Sequence, residues 1–197
     1  NYRLNKFINA IEDFNAFKNN NEAPKTSEFD LLNYNLGYAY FKQKEYENAI
    51  STFKNYISNT KDETKLNDSY LRIADSYFAS RNYSNAISNY SKSINLNEAD
   101  VDYAQFQKAI SYGLTGNETK KIEELNSFLN THTKSGYRDD AHYVLGNSYV
   151  EKGQNNKALD NFNKLIVNFK RSPLVSKAML KKGLIYYNTD QNSKALT

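Results

Sequence analysis

The sequence predicts an all-α protein built as a solenoid of stacked helix pairs, and three observations carry that prediction. First, a short signature recurs five times: Leu36-Gly37-x-x-Tyr40, Ile73-Ala74-x-x-Tyr77, Lys108-Ala109-x-x-Tyr112, Leu145-Gly146-x-x-Tyr149 and Lys182-Gly183-x-x-Tyr186. Its small residue stands at positions 37, 74, 109, 146 and 183, in steps of 37, 35, 37 and 37. Self-similarity at such a period marks a repeat architecture. Second, a small-x-x-x-aromatic signature follows twelve residues later, as Ala49…Phe53, Ala86…Tyr90, Ala158…Phe162 and finally Ala195. Third, apolar residues fall at helical spacing inside each unit.

The elements follow in order. Ala10…Phe14 carries the second signature with no first signature before it, so residues 1–20 read as a half-repeat. Residues 30–66, 67–101, 102–138 and 139–175 read as four full repeats, and 176–197 as a closing partial one. In the first full repeat Leu32, Leu36, Ala39 and Tyr40 share one helical face, and Ala49, Ile50, Phe53 and Ile57 share another. The turns between paired helices are marked by Lys44-Glu45, Arg81-Asn82, Thr115-Gly116-Asn117, Lys152-Gly153-Gln154 and Thr189-Asp190. Gly116 and Gly153 stand where the residue beyond a helix C-terminus often needs positive φ. Ser172-Pro173 suits the start of the last first-type helix, with Pro at an early position where its missing N–H costs little. The third copy departs, with Lys121 and Leu125 at the second signature. Half-repeats at both ends lead us to expect a piece of a longer chain forming a single solenoid over 1–197.

Small residues let two helix backbones cross closely, and large rings fill the space beside the crossing. One pair cannot hide its apolar faces alone, but stacked neighbours can. Composition agrees with an ordered protein: 197 residues, 39% hydrophobic, only 2 Pro and 7 Gly, and no Cys for a disulfide or thiolate site. The 29 Asn and 17 Tyr fit a low-GC genome, and because Asn is a mediocre helix former, packing must supply the order.

Leu-Gly-x-x-Tyr followed by Ala-x-x-x-Phe resembles the tetratricopeptide repeat family, and nearly the whole chain takes part in the likeness. The resemblance implies a right-handed α-solenoid and a role in protein binding. Asn33, Tyr70, Gln105, His142 and Met179 stand where the family often has Trp. Segments 134–141 and 168–173 resemble the linkers of bacterial envelope members, which implies a periplasmic or outer-membrane-associated protein, with the cytoplasm as the alternative compartment.

Family geometry implies that the first helix of each pair lines a concave face. The residues placed there as partner contacts are Tyr34, Tyr38, Phe41, Asp68, Asp75, Phe78, Tyr103, Phe106, Tyr143, Asn147, Lys177 and Lys181. A solvent-facing aromatic row suggests an interaction site. The same rings serve equally to pack within or between repeats. The carboxylate clamp of chaperone-tail adaptors is not expected, because Phe106, Ile110 and Val144 replace the polar partners that Lys177 and Lys181 would need.

Catalytic chemistry is not expected either. His132 and His142 are ten residues apart, and the register turns His142 toward the core rather than toward a metal. No cofactor, metal or small-molecule substrate is expected, and no segment is apolar enough to span a bilayer. Residues 140–197 carry nine Lys/Arg against four Asp/Glu, and residues 1–139 seventeen against eighteen. That modest basic bias reads as a solvated surface rather than a nucleic-acid site. The functional expectation is a non-catalytic scaffold holding a protein or peptide partner in a concave aromatic groove. A structural spacer or self-associating module is the second reading, and an RNA-binding helical repeat the third.

Overall fold

A computed structural model describes residues 2–19 and 27–189. Among these residues there are ten helices and no strands: α1 (Tyr2–Asn19), α2 (Ser27–Lys42), α3 (Tyr46–Ile57), α4 (Glu63–Ala79), α5 (Tyr83–Leu96), α6 (Val101–Leu114), α7 (Glu118–Thr131), α8 (Arg138–Glu151), α9 (Asn155–Asn168) and α10 (Val175–Asn188). Asp190 of the last expected turn and Ala195 of the last signature lie outside the described residues. Two compact units are present, Asn1–Gly116 and Asn117–Thr197, so the third repeat contributes α6 to one and α7 to the other. That division falls on the copy whose second signature departs. Among the described residues no helix is long and apolar enough to cross a membrane.

The turns inside the pairs are copies of one another. Lys44, Arg81, Gly116 and Gly153 have φ of 62°, 59°, 79° and 67°. At three of them the next amide reaches back five residues, Glu45 N–H to the Tyr40 carbonyl (2.9 Å), Asn82 to Tyr77 (2.8 Å) and Gln154 to Tyr149 (2.8 Å). This is the closure a left-handed residue past a helix end provides. Glycine adopts that conformation freely, whereas Lys44 and Arg81 carry its steric cost. Side-chain oxygens of Asn82 and Asn117 then cap α5 and α7 by accepting the Asn85 and Lys120 amides.

The longer connections before α8 and α10 also match. Ser135 Oγ accepts the Tyr137 amide and Ser172 Oγ accepts the Leu174 amide, both at 3.1 Å. Pro173 lies two residues ahead of Val175, in the turn that precedes α10, rather than at the helix's first position. The Ser172 hydroxyl organises that turn, so Pro serves the connection instead of the helix start.

In the first unit the core holds Ala49, Ile50, Phe53 and Ile73 in one cluster and Leu71, Ala74, Ala86, Tyr90 and Ala104 in another. In the second unit Leu125, Phe128, Ala141, Leu145, Ala158, Phe162 and Leu165 are fully buried. The small signature residues explain the crossings. A Cβ on Gly37 would stand 2.9 Å from the Phe53 ring, and one on Gly146 only 2.4 Å from the Phe162 ring.

Alanine at either glycine gains up to about 1 kcal/mol of helix propensity, against about 1–3 kcal/mol for forcing a buried ring aside. The closer contact decides the sign. Gly146→Ala is expected to destabilise by about 1–2 kcal/mol and Gly37→Ala to stay closer to neutral, measured by urea denaturation. Equal stability of Gly146→Ala and the parent protein would contradict this account of the crossing.

Candidate functional site

Seven side chains from four helices of the first unit form one polar and aromatic cluster. Helix α4 supplies its centre, because Asp68, Arg72 and Asp75 stand at i−4, i and i+3 and share a face. Arg72 Nε donates to Asp68 Oδ1 at 3.3 Å, and its Nη1 donates to Asp75 Oδ2 at 2.7 Å. Each carboxylate also accepts two phenols. Tyr34 of α2 donates to Asp68 Oδ2 at 2.8 Å, and Tyr38, one turn on, donates to the same oxygen. Tyr90 of α5 and Tyr103 of α6 each donate to Asp75 Oδ1 at 2.8 Å. One guanidinium therefore links two carboxylates, each further held by a pair of tyrosines from neighbouring helices.

Rings enclose the cluster. The Tyr34 and Tyr38 centroids are 5.2 Å apart, and both rings meet Phe53 edge-on, at 6.1 and 5.5 Å. Phe41 lies 5.8 Å from the Arg72 guanidinium, a cation–π approach. Phe41 meets Tyr46 as Phe78 meets Tyr83 one repeat later, at 6.1 and 5.5 Å.

Burial shapes the protonation of the cluster. It pushes the Tyr34, Tyr38 and Tyr90 phenols up, and the acceptor carboxylate beside each adds to the effect; Tyr38 reaches about 12. Burial also raises Asp75, although Arg72 and the two phenols that donate to it favour its ionised form. Burial works against the charge of Arg72, but the attraction of Asp75 and Asp68 outweighs it, so its pKa rises. Under neutral conditions the phenols stay protonated and act as donors. The carboxylates and the guanidinium are each engaged by partners within the cluster.

Of the residues expected to line the first-helix face, Tyr34, Tyr38, Asp68, Asp75 and Tyr103 belong to this cluster, Phe41 borders it, and Phe78 stands half-buried one turn beyond Asp75. Their hydroxyls and carboxylates are bonded to one another, so packing between repeats accounts for much of what these residues do. Phe106 is corrected: it is only 8% exposed and is a core residue. It occupies the repeat position of fully buried Leu71, and it lacks the hydroxyl that carries Tyr34 outward to Asp68. In the second unit Tyr143 and Asn147 are half-buried on α8, with Tyr143 against Phe162 at 6.0 Å. On α10 Lys177 is exposed and Lys181 half-buried. Arg72 and the hydroxyl of Tyr90 were not anticipated. The Asp-x-x-x-Arg-x-x-Asp spacing was the readable signal for the first.

His142 behaves as its register suggested. It is 5% exposed, and Asn161 Oδ1 lies 3.0 Å from its Nδ1. Asn161 Nδ2 donates to the Lys157 carbonyl, which turns its oxygen toward the imidazole, so Nδ1 carries the proton in this pair. Burial lowers the imidazole pKa. His142 lies with Arg138, Lys157 and Lys164 along a polar cleft of about 410 Å³ among α7, α8 and α9. Among the described residues no three His, Cys, Asp or Glu side chains are grouped to hold a metal.

The tyrosines predict a pH response. Native phenols keep their protons above the unfolded value of 10.0, whereas the unfolded chain releases them, so stability is full below 10.0 and lost as pH rises toward about 12. Tyr38→Phe removes one such proton. Thermal melts between pH 10.0 and about 12 should fall less steeply for this variant, while its neutral-pH stability drops by about 1 kcal/mol for the lost hydrogen bond. An unchanged alkaline slope would show that Tyr38 is not held protonated in the fold.

Tetratricopeptide repeat profiles match residues 32–62, 68–100 and 140–172. No curated protein matches the sequence significantly. Among solved structures, MamA residues 41 to the end from Desulfovibrio magneticus RS-1 superpose with a TM-score of 0.68 at 15% identity, over 85% of this chain and 89% of that one. A putative kinesin light chain with nearly identical TPR-like repeats, from Podospora anserina, gives 0.63 at 14% identity, over 83% and 88%. The apo form of RapI gives 0.77 at 16% identity, over 98% of this chain and 59% of RapI. Three segments matched by sequence and a shared architecture at low identity agree: the protein carries tetratricopeptide repeats and has the all-α tetratricopeptide solenoid fold.

Proposed function

We propose that the protein is a non-catalytic interaction scaffold that receives a segment of a protein partner on the first-helix face of residues 27–116. The observation that supports this reading most is the Arg72 cluster. It ties α2, α4, α5 and α6 together through polar groups that are already satisfied, and it leaves Tyr34, Tyr38, Phe41 and Phe78 half-buried along one face. Aromatic rings held in place lose little entropy when a partner covers them, and Tyr is a frequent anchor of such contacts. The same face carries Asp68 and Asp75 around one Arg, which suits a partner segment with basic or hydrogen-bond-donating groups beside an apolar anchor.

Selection of displayed random peptides on the intact protein tests the proposal. Peptides so selected should bind about tenfold or more weakly to Phe41→Ala and to Tyr38→Ala, with helicity unchanged by circular dichroism. Unaltered affinity for both folded variants would remove this face from consideration.

We further propose that the scaffold works in a bacterial envelope assembly, periplasmic or bound to the outer membrane. Support comes from the segments at 134–141 and 168–173, whose likeness to envelope linkers is joined by their matching Ser135 and Ser172 turns. Fractionation of the source cells should recover the protein with periplasm or outer membrane. Recovery with the cytosol alone would end the envelope reading.

A further inference from the structure

The polar cleft among α7, α8 and α9 of the second unit carries more hydrogen-bonding chemistry than its packing uses. Its walls are helical stripes. Helix α8 lines it with Arg138, His142 and Tyr149 at i, i+4 and i+11, and α9 with Lys157, Asp160, Lys164 and Asn168 at i, i+3, i+7 and i+11. Asn168 also borders a neighbouring hollow of about 690 Å³ that includes Asp139, Lys170 and Arg171. From Lys157 to Asn168 the α9 wall runs about 16 Å, the length of about five extended residues.

Charge in the two hollows is one-sided. Five cations, Arg138, Lys157, Lys164, Lys170 and Arg171, stand against Asp139 and Asp160. Asp160 is engaged by Lys164 at 2.7 Å. Arg138 and Lys157 have no carboxylate partner among the described residues; exposed Lys157 is held 5.4 Å over the Tyr149 ring. Eight residues before the small signature residue, where Arg138 stands, other repeats have Leu66, Val101 and Val175, so the repeat core requires no cation there. Arg138 Nη1 donates to the Leu129 and His132 carbonyls, at 2.7 and 3.2 Å, which closes the end of α7. Its Nε and Nη2 have no partner among the described residues, and that side of a guanidinium grips a carboxylate through two parallel bonds.

His142 adds a group of the opposite kind. Its Nδ1 proton goes to Asn161, and its Nε2 has no partner among the described residues although the ring is only 5% exposed. A neutral imidazole so held presents a lone pair at Nε2, an acceptor. Burial lowers its pKa against the hydrogen bond with Asn161; Arg138 and Lys164 add to the lowering, and Asp160 opposes it. A peptide matches this pattern better than a bare anion does. Acidic side chains supply oxygens for Arg138 and Lys157, and the backbone supplies an N–H for His142.

We propose that the cleft binds an acidic segment of a partner protein, its carboxylates on Arg138 and Lys157 and a backbone N–H on His142 Nε2. This goes beyond the first-helix face, whose residues belong to the other unit.

Selection of displayed random peptides on the full chain carrying Phe41→Ala, a substitution outside the cleft, tests this. The recovered peptides should be rich in Asp and Glu. As blocked synthetic peptides they should bind about tenfold or more weakly once Lys157→Glu or Arg138→Gln is added. Affinity should also fall as salt rises, because the exposed cations are screened. Circular dichroism checks Arg138→Gln, which also loses bonds at the end of α7, while Lys157→Glu alters an exposed side chain. Four results would overturn the proposal: a selection without acidic enrichment; selected peptides that bind Lys157→Glu as tightly as its parent; equal binding when Gln and Asn replace the acids; or retention of polyuridylate in place of acidic peptides, lost in the same variants.

Discussion

The fold depends on one steric constraint, met in three of the repeats: a ring of the second helix lies against a position of the first helix that has little or no side chain. The two positions are sixteen residues apart, as in Gly37 with Phe53, Ala74 with Tyr90 and Gly146 with Phe162. The constraint explains the choice between Gly and Ala. Where the opposing ring is a fully buried Phe, even a methyl group at the small position meets it at 2.4 to 2.9 Å. Where the opposing residue is Tyr90, whose hydroxyl is drawn toward Asp75, alanine is accommodated. The aromatic that fills a crossing can thus be steered by its own polar end, which couples the packing of a pair to the hydrogen bonds between pairs.

That coupling gives the Arg72 cluster a structural role between repeats. Two half-buried carboxylates on one helix face repel each other and lose hydration. Arg72 and four phenols offset this by giving each carboxylate one charged and two neutral donors. A network with every member satisfied holds one arrangement of its helices, whereas one with a missing member would leave an uncompensated charge. The result is a face whose rings are held in place by the contacts between repeats.

Much of the fold was legible in the sequence because its cause is local and periodic. The 37-residue step, the Gly-x-x-Tyr spacing and the Lys44, Arg81, Gly116 and Gly153 turns each follow from one chain segment at a time. The site was legible in part. Tyr34, Tyr38, Asp68, Asp75 and Tyr103 could be assigned to the first-helix face by register alone. That their polar ends meet one another could not, since the phenol–carboxylate pairs are 34, 30, 15 and 28 residues apart in the chain and depend on how successive pairs stack. Phe106 shows the converse. Register assigns a residue to a helix face but does not say how deep it sits, and without a hydroxyl to draw it outward that ring stays in the core.

The repeat grammar also accounts for where exposed apolar surface occurs. In α2–α3, α4–α5 and α8–α9 the small and ring positions of the signatures are buried because the second-type helix covers the first-type helix before it. Large exposed side chains are found at register positions of the same repeat, Phe17 on α1 and Met179, Leu180, Leu184 and Tyr187 on α10. Their chemistry is ordinary for the repeat; only their surroundings differ. Full burial of one such ring or branched side chain contributes about 1.5–3 kcal/mol, so the internal crossings are held chiefly by the rings they enclose. The residues that make these crossings therefore carry most of the information for the fold: a position with no side chain at Gly37 or Gly146 and, sixteen residues on, the ring that covers it.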